Sequence, residues 1–238
     1  MGGYKVMELY DFLRRVRLNN NREWLAANRD EYDYLRRRWL GQVDTLIEYV
    51  SEWEPAMASQ TARSAAYRFA RDTRFSQDKS PYKTYFSALL SPWGRKAERA
   101  AYYLHMGPDD PDGDPAATGS GVYGGIWCPS SAILKKLRHA IVDNIEEFEA
   151  ICSAPDMHRH FSGWLGERLK TIPQGWDRNH PQAEILRLKE YGRFSPVDES
   201  VFGSPDWPRI VSARMRMLKP LVDFLNYSID EDTGMPQV

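Results

Sequence analysis

The chain has 238 residues, of which 42% are hydrophobic, and its 32 basic and 33 acidic residues leave a formal net charge of -1. A chain of this length can bury a substantial core, and we expect a single domain spanning residues 1–238. The near-neutral total excludes a general electrostatic attraction to nucleic acid or anionic lipid, so any electrostatic function must be local.

Cysteine usage and hydropathy point to one cellular compartment. Cys128 and Cys152 are the only cysteines and do not form a CxxC pair, which argues against a disulfide scaffold and a cysteine-cluster zinc site. No apolar run reaches membrane-spanning length, and the first residues lack the apolar core of a signal peptide. The sequence therefore predicts a cytoplasmic protein.

The N-terminal region is predicted to be helical. A short helix is expected over residues 8–18, and a longer one follows the turn "NNNREW", with apolar residues at helical spacing as far as Val50. We expect an asparagine of the turn to cap this helix, with Glu23 in its first turn.

Strands are predicted from residue 65 onward, where β-branched and aromatic residues alternate between turn residues. We expect four strands, at about 66–75, 82–90, 100–106 and 121–127. The connection "GPDDPDGDPAATGSG" before the last strand is predicted to be a solvated loop.

The C-terminal half returns to helical spacing. The segment "PSSAILKKLRHAIVDNIEEFEAIC" predicts a helix, and "HPQAEILRLKEY" and "SPDWPRIVSARMRMLKPLVDFLNYSI" predict two more, the last one divided or kinked at Pro220. Strands clustered between helices indicate an α+β fold: an antiparallel sheet of about four strands, roughly residues 66–127, packed against N- and C-terminal helices.

The stretch "RFARDTRFSQDKSPYKTYF", residues 68–86, concentrates the most unusual chemistry. If residues 76–81 form a hairpin loop, Phe75 pairs with Tyr82, and Arg74 lies directly opposite Lys83. Like charges in that position destabilise a sheet unless something negative lies between them. The outer face of this hairpin would carry Arg68, Asp72, Arg74, Lys83 and Tyr85.

Residues 63–99 contain nine basic residues against three acidic ones. Asp72 and Asp78 could compensate this charge, and so could a bound phosphate, carboxylate or nucleotide, because converging guanidinium and ammonium groups match such anions. A salt-bridged hairpin with a solvated face is the alternative. Arg71 falls on the apolar face by alternation, so either its stem covers that face or a β-bulge shifts the register.

Candidate residues for chemistry follow from this stretch and its neighbouring strand. Asp72 and His105 are the candidates for proton transfer, although a structural histidine bonded to the backbone is the favoured interpretation of His105. The candidates for ligand binding are Arg68, Arg71, Asp72, Arg74, Lys79, Lys83 and Tyr85. No metal-site motif and no nucleotide-cofactor motif such as Walker A or GxGxxG is present.

Several motifs together resemble one known family. "NNNREW", "RFARDTRFSQDKSPYKT", "YYLHM", "GGIWCP", "LKTIPQGWDRNHP" and "PLVDFLN" resemble, in this order, the bacterial family of domain of unknown function 2461, over about residues 10–226. Members usually carry a phrase like "RDxRFSKDKSPYKT", here with Gln77 in place of a common Lys and followed by Tyr85 in place of a common polar residue. The resemblance implies one compact domain and a signature centred on the charged hairpin, and it implies no reaction.

Three functions stay open from the sequence. The first is binding of a small anionic ligand by Arg68, Arg74, Lys79 and Lys83, with Asp72 orienting the arginines. The second is binding of single-stranded nucleic acid through phosphate contacts and through base stacking on Tyr67, Tyr82 and Tyr85. The third is a structural or adaptor protein whose basic patch is internal salt bridging. Enzyme status, cofactor and oligomeric state are left open.

Overall fold

A computed structural model describes residues 7–74, 77–109, 119–161 and 163–231. The fold is α+β with a four-stranded antiparallel sheet, which confirms the predicted class. The chain divides into two compact units: Met1–Arg95, Tyr103–Val122 and Pro196–Arg216 form the first, and Lys96–Tyr102, Tyr123–Ser195 and Met217–Val238 form the second. That the chain is one domain stays a prediction.

The sheet contains its strands in the order of the chain: β1 Phe86–Leu90, β2 Ala101–Met106, β3 Gly121–Ile126 and β4 Tyr191–Pro196. The first three confirm predicted strands. The prediction of a strand at 66–75 is wrong. The described part of that segment pairs through two isolated bridges, Ala66 to Ala88 and Ala70 to Tyr82, and forms no continuous strand. Most of the loop predicted before β3 lies outside the described residues.

The fourth strand comes from a region that the sequence pattern assigned to a helix. The helix expected over "HPQAEILRLKEY" is reduced to Ala183–Leu186, and the chain then enters β4. Its sequence "YGRFSP" includes Gly and Pro, which are poor strand formers, so pairing in the sheet and burial of its first residues override local preference.

The helices are, in chain order, α1 Met7–Leu18, α2 Arg22–Ala27, α3 Arg29–Ser51, α4 Ala62–Ala65, α5 Ser131–Asp143, α6 Ile145–Ser153, α7 Pro155–His160, α8 Ala183–Leu186, α9 Trp207–Arg216 and α10 Lys219–Asp230. The predicted long N-terminal helix is two helices separated at Asn28. Asn21 caps α2 as expected, since its side chain accepts a hydrogen bond of 2.8 Å from Trp24 N. Pro220 lies in the first turn of α10 and divides the C-terminal helix, also as expected.

The first unit has its core around the apolar face of α3. That face buries Leu35, Trp39, Val43, Leu46, Ile47 and Val50, which confirms the predicted stripe. Aromatic rings extend the core to the start of the sheet: Phe86 lies 5.2 Å from Trp39 and 5.3 Å from Phe69, measured between ring centroids. The segment that precedes β1 is therefore anchored through its apolar side chains.

The second unit contains α5, α6 and α10 as packed helices. Asn226 on α10 ties down the chain before β2, because its side-chain amide accepts from Ala100 N at 2.9 Å and donates to Ala100 O at 3.0 Å. Gly192 makes room for a tyrosine, since a Cβ at this position would lie 1.8 Å from the Tyr123 hydroxyl. Among the helices of the described ranges, none is long and apolar enough to cross a membrane.

Candidate functional site

Residues 66–85 precede β1 as an irregular, bulged segment of the first unit. Arg71 N donates to Pro81 O, and Lys83 N donates to Phe69 O, both at 2.9 Å. Phe69 therefore lies opposite Lys83, and the prediction that Arg74 would lie there is wrong.

The register changes because Tyr82 pairs with Ala70, five residues before its expected partner, and a bulge then interrupts the pairing towards Ala66. Between the bridge of Ala70 with Tyr82 and the bridge of Ala66 with Ala88, three residues on one side of the pairing face five on the other. Two extra residues cannot follow a regular ladder, so the alternation of faces is broken. Phe75, the expected partner of Tyr82, lies outside the described residues.

Two contacts fix this segment from outside. The side-chain amide of Asn20, in the turn between α1 and α2, donates to Tyr82 O at 2.9 Å and accepts from Tyr82 N at 3.0 Å. Gly107, which follows β2, allows close approach of the backbone, because a Cβ there would lie 2.8 Å from the Cβ of Tyr85. The sequence analysis missed the role of Asn20, which lies inside the "NNNREW" motif.

Asp72 is engaged by arginines on the outer rim. Its carboxylate accepts hydrogen bonds from Arg74 Nε at 3.0 Å and Nη2 at 2.7 Å, and Arg68 Nη2 lies 3.8 Å away. The hydrogen bonds from the Arg74 side chain and backbone, followed by the charges of Arg74 and Arg68, lower the pKa of Asp72 to about 2. Asp72 thus orients Arg74, and it stays ionised at neutral pH.

The loop of the segment holds a second ion pair. Asp78 accepts from Ser80 N at 2.8 Å and pairs with Arg71, and these contacts, the Ser80 hydrogen bonds first, lower its pKa. Lys79 is exposed, and its ammonium donates to Thr73 O at 2.9 Å. The salt-bridged reading of the sequence therefore describes this rim.

Lys83 differs from these rim cations. It is half-buried, and no carboxylate within the described part of the chain forms an ion pair with its ammonium. The Nζ atom lies 5.1 Å from the ring centroid of Tyr67 and 5.5 Å from that of Tyr85. Its pKa is lowered, first by burial and then by the positive charges of Arg68, Arg71, Arg95 and Arg36.

Arg36 is one of the cations whose charge lowers the pKa of Lys83. It lies on α3, with its guanidinium 5.3 Å from the Trp39 ring and 5.6 Å from the Phe86 ring. Burial lowers its pKa, and its Nη1 atom is buried without a hydrogen-bond partner among the described residues. Sequence reasoning missed this residue; the available signal was a basic residue directly after Leu35, inside an apolar stripe.

Arg95 completes the group from the turn after β1. Its Nη1 atom donates to Ala66 O at 2.8 Å, and its guanidinium lies 5.2 Å from the ring of Tyr67. Tyr67 is therefore in contact with two cations, Arg95 and Lys83. Arg95 is one of the nine basic residues counted between positions 63 and 99, and the sequence pattern predicted no specific role for it.

His105 on β2 lies beside the same tyrosine as Lys83. Its ring centroid is 4.1 Å from that of Tyr85, and its Nδ1 atom is 3.3 Å from the Tyr103 hydroxyl. The side chain is only 9% exposed, and its Nε2 atom is buried with no hydrogen-bond partner in the described residues. Burial first, and the charge of Lys83 second, lower the pKa of His105 to about 4, so the imidazole is neutral at neutral pH.

We call this set the Lys83 cluster, and its members are Lys83, Arg36, Arg68, Arg71, Arg95, Tyr67, Tyr85 and His105. It unites five predicted candidates with three further residues. Two of its arginines, Arg68 and Arg71, are ion-paired with Asp72 and Asp78 on the rim, where Arg74 and Lys79 also lie. Converging cations of this kind can hold an oxyanion, and a neutral histidine can accept a proton. Within the described ranges, no three His, Cys, Asp or Glu side chains are grouped so that they could hold a metal ion.

Comparison with known proteins places the chain in a family. The profile of the family described as conserved hypothetical protein (DUF2461) matches residues 8–224, nearly the full length. The chain belongs to this family. The resemblance found in the sequence motifs is thereby confirmed. No curated protein and no solved structure matches the chain. Because the family description names no activity, the function of this DUF2461 protein has to be argued from its site.

Proposed function

We propose that the protein binds a small molecule bearing a phosphate or carboxylate group at the Lys83 cluster. The observation that supports this most concerns the ammonium of Lys83. It is half-buried, it experiences the positive charges of four arginines, and it has no carboxylate partner in the described residues. Burial and like charges both disfavour the protonated amine, and a bound anion would relieve this cost. Guanidinium forks and an ammonium also match the geometry of phosphate and carboxylate.

Arg74, on the rim, has a supporting role in this proposal. Arg74 is 77% exposed and is held by Asp72, so it would contact only the outer part of a ligand. Exposed ion pairs such as this one contribute little stability and leave Lys83 uncompensated. This difference between rim and cluster favours a binding site over a purely structural patch.

Nucleic-acid binding is less well supported than binding of a small ligand. Tyr82 stacks on Phe69, with ring centroids 5.5 Å apart and planes at 13°, and Tyr85 lies against His105. Successive bases need several free aromatic faces along a groove. Here one face of each of these two tyrosines is already covered by the protein.

Proton transfer, if the bound molecule reacts, would fall to His105 rather than Asp72. The neutral imidazole can accept a proton at neutral pH, whereas hydrogen bonds from Arg74 hold the pKa of Asp72 at about 2 and make it a weak base.

The direct test is a thermal-shift screen with inorganic phosphate, sugar phosphates, di- and tricarboxylates, nucleotides and a short oligothymidylate. A ligand at about 100 times its Kd stabilises a protein by roughly 2.7 kcal/mol, which for a chain of this size raises Tm by several degrees. We expect this rise in the wild type and in the control Lys79→Gln, and not in Lys83→Gln. An equal rise in Lys83→Gln, or no rise with any anion, would contradict the proposal, and a rise with the oligonucleotide alone would favour nucleic-acid binding.

A further inference from the structure

The amine of Lys83 has an environment that goes beyond what anion binding requires. A permanent cation would bind an anion just as well, and four arginines already supply such charges at the cluster. A lysine differs from them because it can lose its proton and become a nucleophile. Burial and neighbouring cations are the two factors that activate lysine amines in this way.

We propose that Lys83 is a nucleophilic amine that forms a Schiff base with an anionic carbonyl compound, an α-keto acid or a phosphorylated aldehyde or ketone. This inference rests on the proposed function, because the arginines of the cluster would hold the anionic group of the same molecule. It specifies the ligand class: an anion with a carbonyl carbon within reach of Nζ.

The reaction balances without an oxidant or a metal. The ammonium of Lys83 first releases a proton to water. The nitrogen lone pair then attacks the carbonyl carbon, the carbonyl π electrons move to the oxygen, and transfer of one proton from the nitrogen to that oxygen gives a neutral carbinolamine. Loss of the hydroxyl group with one proton from solvent, together with loss of the remaining N–H proton, releases water and leaves a C=N bond.

Neighbouring groups suit this sequence. His105 is neutral, is buried and has an Nε2 atom without a hydrogen-bond partner in the described ranges, and it shares the ring of Tyr85 with Lys83. The rings of Tyr67 and Tyr85 lie 5.1 and 5.5 Å from the amine, and the charges that act on it are those of Arg36, Arg68, Arg71 and Arg95. None of these is a carboxylate that would hold the amine in its protonated form.

The experiment traps the adduct by reduction. The protein is incubated with pyruvate, with glyoxylate or with glyceraldehyde 3-phosphate, in the presence of cyanoborohydride, which delivers hydride to the C=N carbon. Peptide mapping by mass spectrometry then locates the secondary amine among the nine lysines. The exposed Lys79, four residues away and bonded to Thr73 O, is the control inside the same molecule. Comparison of the keto acids with the phosphorylated aldehyde distinguishes the two sources of the anionic carbonyl.

We expect Lys83 to be labelled faster than Lys79, because burial and neighbouring cations leave a larger share of the Lys83 amine unprotonated. Inorganic phosphate, which has no carbonyl group, should slow this labelling by occupying the site. Equal labelling of the two lysines, or labelling of Lys83 that phosphate leaves unchanged, would overturn the inference.

Lys83→Arg separates this inference from the proposed function. It keeps the positive charge and cannot form an imine, so it should retain a thermal shift with phosphate and lose the adduct. A wild-type protein that is stabilised by phosphate and yields no Lys83 adduct would refute the Schiff base and leave the anion site standing. A protein with neither response would refute both.

Discussion

At the scale of single residues, three side-chain amides replace missing backbone partners. Asn20 bonds both backbone groups of Tyr82, Asn226 bonds both of Ala100, and Gln60 donates to Leu89 O and accepts from Ser91 N. Each amide uses one N–H donor and its carbonyl acceptor here, and so bonds the backbone as a neighbouring strand would. Sequence reasoning had no means of assigning these pairs, because their partners lie 29 to 126 residues away.

The ionisation of His105 is tied to folding. Its folded-state pKa of about 4 lies below the value of about 6.5 for an unfolded chain. The unfolded chain therefore binds a proton at a higher pH, and stability is lost as the pH falls from about 6.5 to about 4.

Over this interval we expect the wild type to lose about 3 kcal/mol of unfolding free energy relative to His105→Gln. Urea denaturation at a series of pH values measures this difference, and His158→Gln, which changes an exposed histidine, is the matched control. Parallel stability profiles for the wild type and His105→Gln between pH 6.5 and 4 would show that His105 does not titrate as described.

At the scale of elements, the bulged segment 66–85 shows where a strand pattern misleads. Alternation assumed an unbroken ladder and placed Arg74 against Lys83, but Tyr82 pairs with Ala70, which puts Phe69 opposite Lys83, and two extra residues then interrupt the alternation. The apolar anchors were predictable, since Phe69 and Phe86 are buried as expected. The charged side chains were not, because a bulge re-aims them without changing the hydrophobic pattern.

Asn20 holds the bulged segment in place, and its removal should loosen this segment selectively. In Asn20→Ala the amide of Tyr82 loses its acceptor, while the amide of Lys83 keeps Phe69 O. We expect a loss of roughly 1 to 3 kcal/mol in stability and much faster hydrogen exchange at Tyr82.

Asn19→Ala is the control for this prediction, because the exposed side chain of Asn19, just after α1, donates to Arg15 O in the last turn of that helix. Exchange of the Tyr82 amide is measured in both variants by NMR. Unchanged protection of Tyr82 in Asn20→Ala would mean that the segment is held by its apolar contacts alone.

At the scale of the whole molecule, the sequence was informative about class and poor at connectivity. Helical spacing located α1, α3, α5 and α10, and the clustering of strands between helices gave the α+β fold. It missed β4, whose residues reach the sheet only after about sixty residues of intervening chain. Such a pairing depends on the packing of distant elements and leaves no local pattern in the sequence.

The distribution of charge is the other property of the whole molecule. A chain with a net charge of -1 brings five cations together in the Lys83 cluster, while Asp72 and Asp78 lie on its rim. A half-buried cation without a carboxylate partner lowers the stability of the protein. Because natural sequences are free to replace a costly lysine, we attribute its presence to binding. We therefore infer that Lys83 remains uncompensated until an anion binds.

The pKa of Lys83 tests this inference, and it is measured by an NMR titration of the nine lysine amines after reductive methylation with a ¹³C label, with and without saturating phosphate. We predict that the pKa of Lys83 lies below the ordinary lysine value of about 10.4 in the free protein and rises when phosphate is added, because a bound anion stabilises the ammonium. A Lys83 amine that titrates at the ordinary value and does not respond to phosphate would contradict the account.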